Sequence, residues 1–225
     1  MKPRIAIPLP HGGDPEYAQR AIPQYERAVE LCGAEAVRIP LDRTPAEVMK
    51  LIERCDAVVL PGSKADVDPA KFDAERHPKT EAADAKRDTV DELLLQDAYN
   101  MRKPVLGICY GLQILNVYRS GTLVQHIESP INHQAGRNVA VAHDVEVEAG
   151  SKLAEVVQAI ENAQENDGII EALEGTSPDH FVLAVQWHPE RSFDDDEHSR
   201  AIFRALVEAA KEKHKELAGE FESAR

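Results

Sequence analysis

Short apolar runs recur along this chain, separated by longer stretches with helical periodicity, and their alternation predicts the architecture. "RIAIPL", "EAVRIP", "DAVVLPG", "KPVLGIC" and "HFVLAVQWHPE" read as strands, the third β-branched and apolar throughout, as a strand buried on both faces is. Between the first two, Asp14 can cap a helix that starts with Pro15 and runs toward "LCGA", with a kink expected at Pro23. "TPAEVMKLIERC" opens with Thr44, Pro45 and Glu47 in the pattern of a capping box. "ADAKRDTVDELLLQDAYNM" reads as the helix before the fourth strand, and "EHSRAIFRALVEAAKEKHKELAGEF" as a C-terminal helix. "NVAVAHDVEVEAG" alternates as an exposed or edge strand does. Strand alternating with helix predicts an α/β fold, a doubly wound, mostly parallel sheet with flanking helices. Ligand sites in such a sheet lie beyond the carboxyl ends of the strands.

Length and composition narrow the range of functions. At 225 residues, with 43% hydrophobic and 29% charged positions, the chain is expected to form one α/β domain over residues 1–225. A formal charge of −14 would repel nucleic acid and anionic membranes, so a small-molecule substrate is expected. The N-terminus lacks an apolar signal region and no window is long enough to span a bilayer, so a cytoplasmic location is expected. Cys32, Cys55 and Cys109 are unevenly spaced, which indicates neither a disulfide framework nor a structural zinc site. The nine histidines show no H-x-x-x-H or H-x-x-E-H spacing, so no catalytic metal is expected. "DDDEH" reads as acidic residues favoured at a helix start, and "ADVDPAKFDAERHPKTEAAD" as a surface loop lacking the glycine and terminal glutamate of a calcium loop.

One stretch calls for chemistry rather than packing. In "GICYGLQ", Cys109 lies between Gly107 and Gly111, after an apolar strand and before "LQILNVY", which has the look of a helix. A strand that turns sharply into a helix through G-x-nucleophile-x-G is a nucleophile elbow, whose glycines allow a tight turn and close backbone approach. The helix N-terminus beside the sulfur favours thiolate, and the N–H of Tyr110 would face the oxyanion of an attacked carbonyl. A buried strand-end cysteine could also be structural, and a second motif decides between the two. "VQWHPE" closes another strand with His188 and Glu190, and Pro189 is expected to hold His188 extended so that both side chains lean to one face. A histidine that takes the thiol proton, oriented by a carboxylate, completes a Cys-His-acid arrangement.

"PVLGICYGLQ" and "AVQWHPE" resemble the two signatures of the class I glutamine amidotransferase superfamily, whose fold is flavodoxin-like. "LPGS", "RD", "NV" and "GTLVQHI" resemble its gamma-glutamyl-gamma-aminobutyrate hydrolase branch, peptidase family C26. The likeness extends over nearly the whole chain. It implies Cys109 as nucleophile, His188 as base and Glu190 as orienting acid, with an oxyanion hole from the backbone at Tyr110 and at Gly62 or Ser63. Gln113 would lie beside the glutamyl moiety. The implied reaction is hydrolysis of a γ-glutamyl amide through a thioester, with no cofactor. The alternative is a glutaminase subunit that delivers ammonia to a separate synthase. The amine and the oligomeric state stay open, a homodimer included.

There is one departure from the branch. Its members usually carry an S-x-H-H-Q-like segment before the "DGIIEA" strand, and here "SKLAEVVQAIENAQENDGIIEA" has none, with Gln158 as what remains. So short a connection leaves little chain for the strands expected there, which favours a loop not represented in this sequence.

Overall fold

A computed structural model describes residues 1–133, 143–158 and 167–223, with side chains described as far as residue 219. Six strands form one sheet in the order β2-β1-β3-β4-β6-β5. They are β1 (Arg4–Pro8), β2 (Glu35–Ile39), β3 (Ala57–Leu60), β4 (Val105–Ile108), β5 (Ala172–Glu174) and β6 (Val182–Val185). All neighbouring pairs are parallel except β5 with β6, which places the one antiparallel strand at an edge.

The helices start where their capping chemistry puts them. Asp14 accepts from the Tyr17 N–H at 2.9 Å to open α1 (Pro15–Leu31), which continues as helix through Pro23. Thr44 and Glu47 form the reciprocal capping box of α2 (Pro45–Ile52). Asp84 caps α3 (Ala85–Met101), and α4 (Tyr110–Tyr118) follows β4 directly. The remaining α-helices are α5 (Lys152–Val157), the single turn α6 (Pro189–Ser192) and α7 (Glu197–Ser223), and a 3-10 turn spans Pro69–Phe72. Among the described residues no helix is long and apolar enough to cross a membrane.

The two-residue period of the strands divides the core between the faces of the sheet. Ile5, Ile7, Val59, Leu106, Ile108, Leu183 and Val185 pack on one side with α1 and α7. Ala6, Val58, Leu60, Val105, Val182 and Ala184 pack on the other with α2, α3 and α4. A sheet buried on both faces in this way explains why β3, β4 and β6 are apolar at nearly every position.

Three expectations need correction or bounding. Residues 143–148 alternate between half-buried and exposed, yet they form no strand, and among the described residues no strand pairs with them. The earlier part of that expected strand, residues 138–142, lies outside the described residues, as do residues 159–166, where the family's missing segment would stand. The strand around "VQWHPE" ends at Val185, and His188 instead precedes α6, with Pro189 at its first position and Glu190 inside it. Proline has a φ suited to a helix start and no N–H to leave unpaired, so it turns the chain here rather than extending it.

Candidate active site

The carboxyl ends of β3, β4 and β6 meet at Cys109. This residue has φ 53° and ψ −108°, an unfavourable backbone for a non-glycine residue, and its N–H donates to the Val185 carbonyl at 2.8 Å. Both flanking glycines are required by close approach. A Cβ on Gly111 would stand 2.0 Å from the Leu60 carbonyl oxygen, and one on Gly107 would stand 2.8 Å from the Gly111 carbonyl. Tyr110 is the first residue of α4, so its N–H has no acceptor within the helix and lies next to the sulfur-bearing residue.

His188 stands across from the elbow. Its Nδ1 lies 2.7 Å from Glu190 Oε1, and its Cε1 and the Cys109 Cβ both lie within 3.5 Å of the point where a Cβ on Gly62 would stand. Burial works against a charged ring, but the neighbouring Cys109 and Glu190 side chains outweigh it and raise the His188 pKa to about 9. The Glu190 side chain is only 1% exposed; its Oε1 also lies 3.5 Å from Arg191 Nε, and its Oε2 is buried without a hydrogen-bond partner. The acid is therefore committed to orienting the ring.

The "PGS" turn after β3 closes over these groups. A Cβ on Gly62 would lie 2.9 Å from His188 Cε1 and 3.5 Å from Cys109 Cβ, so only glycine fits. The Gly62 N–H donates to the Tyr25 hydroxyl at 3.1 Å, while Ser63 Oγ accepts from the Ala65 N–H. Burial, with the charge of Glu190 added, pushes the Tyr25 hydroxyl pKa well above its ordinary value, so it stays a neutral phenol. Gln113 donates to Gln186 at 3.2 Å, and Gln186 Nε2 donates in turn to Cys109 Sγ at 3.4 Å. Thus all seven residues singled out in the sequence, Cys109, His188, Glu190, Gly62, Ser63, Tyr110 and Gln113, gather at one end of the sheet.

Sequence reasoning missed the supports of this site. Arg87 is fully buried, holds both Asp91 oxygens at 2.8 Å, and donates to the carbonyls of Pro10 and Pro61 at 3.1 and 2.8 Å. It therefore ties the ends of β1 and β3 together directly beneath the turn. Its guanidinium lies 5.0 Å from the Tyr110 ring centroid, and the Tyr110 hydroxyl donates to Asp88. The "RD" pair of the sequence is thus a buried brace for the elbow. Gln186 was legible as a strand-end polar residue within "VQWHPE", whereas nothing in the pattern marked Tyr25 as more than a core aromatic. Cys55 lies apart, buried, with its thiol pushed up to about 11 by desolvation, and Cys32 is half-buried with burial raising its pKa. Neither has the setting of a nucleophile.

The sequence model of the Peptidase C26 family matches residues 9–164 and 158–190. A Mycobacterium tuberculosis protein named for the glutamine amidotransferases is 38% identical over 209 residues, covering 83% of this chain and 66% of the relative. The chain thus spans just under two thirds of that relative's length. The gamma-glutamyl-gamma-aminobutyrate hydrolase of Escherichia coli is 28% identical over 196 residues, covering 73% of this chain and 76% of that protein. Among solved structures, the glutaminase domain of Trypanosoma brucei CTPS with bound acivicin superposes with a TM-score of 0.58 at 15% identity, covering 94% of each chain. That similarity concerns the fold. With family signatures across most of its length, this chain belongs to the Peptidase C26 family.

Proposed function

We propose that the protein hydrolyses γ-glutamyl amides through a Cys109 thioester and releases the amine to water. The observation that carries this reading is the meeting of Cys109, on a strained elbow, and a His188 ring held at 2.7 Å by the buried Glu190 carboxylate, both against Gly62. Cys109 attacks as the thiolate while its proton rests on His188. The carbonyl oxygen becomes an oxyanion, met by the Tyr110 N–H and by a donor from the Gly62–Ser63 turn. Because Gly62 already donates to Tyr25, that second donor is the Ser63 N–H, or Gly62 once the phenol has moved. His188 passes its proton to the departing amine, then deprotonates the water that cleaves the thioester. Gln186, which donates to the sulfur, and Gln113, which donates to Gln186, would orient the glutamyl head.

The name of the Mycobacterium tuberculosis relative favours a second reading, a glutaminase that hands ammonia to a synthase. Assaying a panel of γ-glutamyl amines beside free glutamine, with and without cell extract, separates the two. The hydrolase reading expects turnover of several amines by the isolated protein and little activity on glutamine. Glutamine as the best substrate, with activity rising sharply only when extract is added, would replace it with the ammonia-donating reading.

A further inference from the structure

Away from Cys109, the chain brings together three residues that its sequence scatters. His133, His143 and Glu171 have ligand atoms all within 4.8 Å of one another. His133 Nδ1 lies 2.9 Å and His143 Nε2 3.4 Å from the same oxygen, Glu171 Oε1. Ligands around a tetrahedral zinc ion, with bonds of about 2.0–2.2 Å, stand roughly 3.4 Å apart, so small side-chain adjustments suffice to admit an ion.

Two further observations point to a ligand. Both ring nitrogens of His143 are buried and, among the described residues, lack a hydrogen-bond partner, the contact with Glu171 not having hydrogen-bond geometry. An orphaned buried imidazole is costly, and a cation would satisfy one of its nitrogens. His133, meanwhile, turns its Nε2 to Asp167 Oδ2 at 2.9 Å, and that oxygen also accepts from Ser129. A carboxylate behind the far nitrogen of a ligating histidine fixes its tautomer and raises its basicity, as outer-shell carboxylates do around zinc. A cavity of about 320 Å³ opens beside the cluster, lined by all three residues and Asp167, and leaves room for water at a fourth position.

We propose that His133, His143 and Glu171 form a site for a zinc-class divalent ion, with Asp167 as the outer carboxylate. Two imidazoles and one carboxylate suit a borderline transition metal rather than calcium or magnesium, which prefer oxygen ligands. The ion would tie His133 and His143 to Glu171, the residue before β5. There the Glu171 carbonyl accepts from the Gln186 N–H at 2.8 Å, and Gln186 is the residue whose side chain touches Cys109. The site stands independently of the hydrolase reading.

Cobalt(II) is the test probe, used in a Cys109→Ala background so that the elbow thiol cannot bind it. Titration should give one ion per chain with visible d–d bands of low-symmetry nitrogen and oxygen ligation. His143→Gln and His133→Gln, with folding checked by circular dichroism, should each abolish those bands. Asp167→Asn should keep them while weakening affinity by about 10- to 100-fold. Thermal unfolding without mutation at the cluster provides a second readout, in which zinc should raise the transition temperature of the Cys109→Ala protein. Absence of cobalt bands there, or binding unchanged in both histidine variants, would overturn the site.

Discussion

His188 Nδ1 lies 2.7 Å from Oε1 of Glu190, a carboxylate whose side chain is almost wholly buried one residue beyond Pro189. Proximity in sequence does not itself create this contact. It requires the strand to end at Val185 and the chain to turn at Pro189, so that a single helical turn carries the acid back beneath the ring.

The contact sets a pH dependence. The His188 pKa is raised to about 9 in the folded protein, against an ordinary value of 6.5. A raised folded pKa means that the pair's stabilisation is fully present below about 6.5 and is lost as pH rises through about 9. Denaturant titrations should therefore show the stability advantage of the parent over His188→Gln shrinking across that window. The basic limb of kcat/KM should fall near pH 9 as the His188 ring loses its proton, and Glu190→Gln should move it to lower pH.

The roles of His188 and Glu190 differ in kind. Glu190→Gln keeps a side chain that can hydrogen-bond the ring but removes its charge, so its loss in kcat should be smaller than that of His188→Ala. Steady-state rates on one γ-glutamyl anilide check this, and equal losses would mean that the acid does more than orient.

Two glycines should fail in different ways. Gly62→Ala sets a methyl 2.9 Å from the His188 ring, so it should fold and lose about 100-fold or more in turnover. Gly111→Ala sets one 2.0 Å from a backbone oxygen, which cannot yield, and should chiefly destabilise or prevent folding. Circular dichroism and activity measured on both variants separate the two effects.

Arg87 braces the turn from below. Arg87→Met would leave Asp91 as a buried, unpaired charge and free the Pro10 and Pro61 carbonyls, at a cost of about 3–5 kcal/mol. Arg87→Lys should recover little, because one ammonium cannot reproduce the fork. Urea unfolding midpoints of the two variants check this.

The order of elements was legible because both faces of the sheet are packed, which makes β3, β4 and β6 continuous apolar runs bounded by capped helices. The elbow was legible because close approach admits only glycine at Gly107 and Gly111, and such requirements survive as letters. The Arg87 brace was not, since a charged residue on a helix reads as solvated until tertiary structure encloses it. Neither was the His133, His143, Glu171 cluster, whose members come from separate segments with no ligand spacing between them. The expected edge strand does not extend through residues 143–148, because alternation shows that a segment lies half-buried, not that a partner strand exists beside it.

The central claim is a covalent γ-glutamyl intermediate on Cys109, and intact-protein mass spectrometry after acid quench tests it directly. The isolated protein, mixed with excess γ-glutamyl anilide during turnover, should gain the mass of one glutamyl group. That adduct should be removed by hydroxylamine, map to the peptide containing Cys109, and be absent from Cys109→Ala, which should also lose about four orders of magnitude in rate. Steady hydrolysis of the same substrate by Cys109→Ala at more than a small fraction of the parent rate, with no adduct in either protein, would contradict the account.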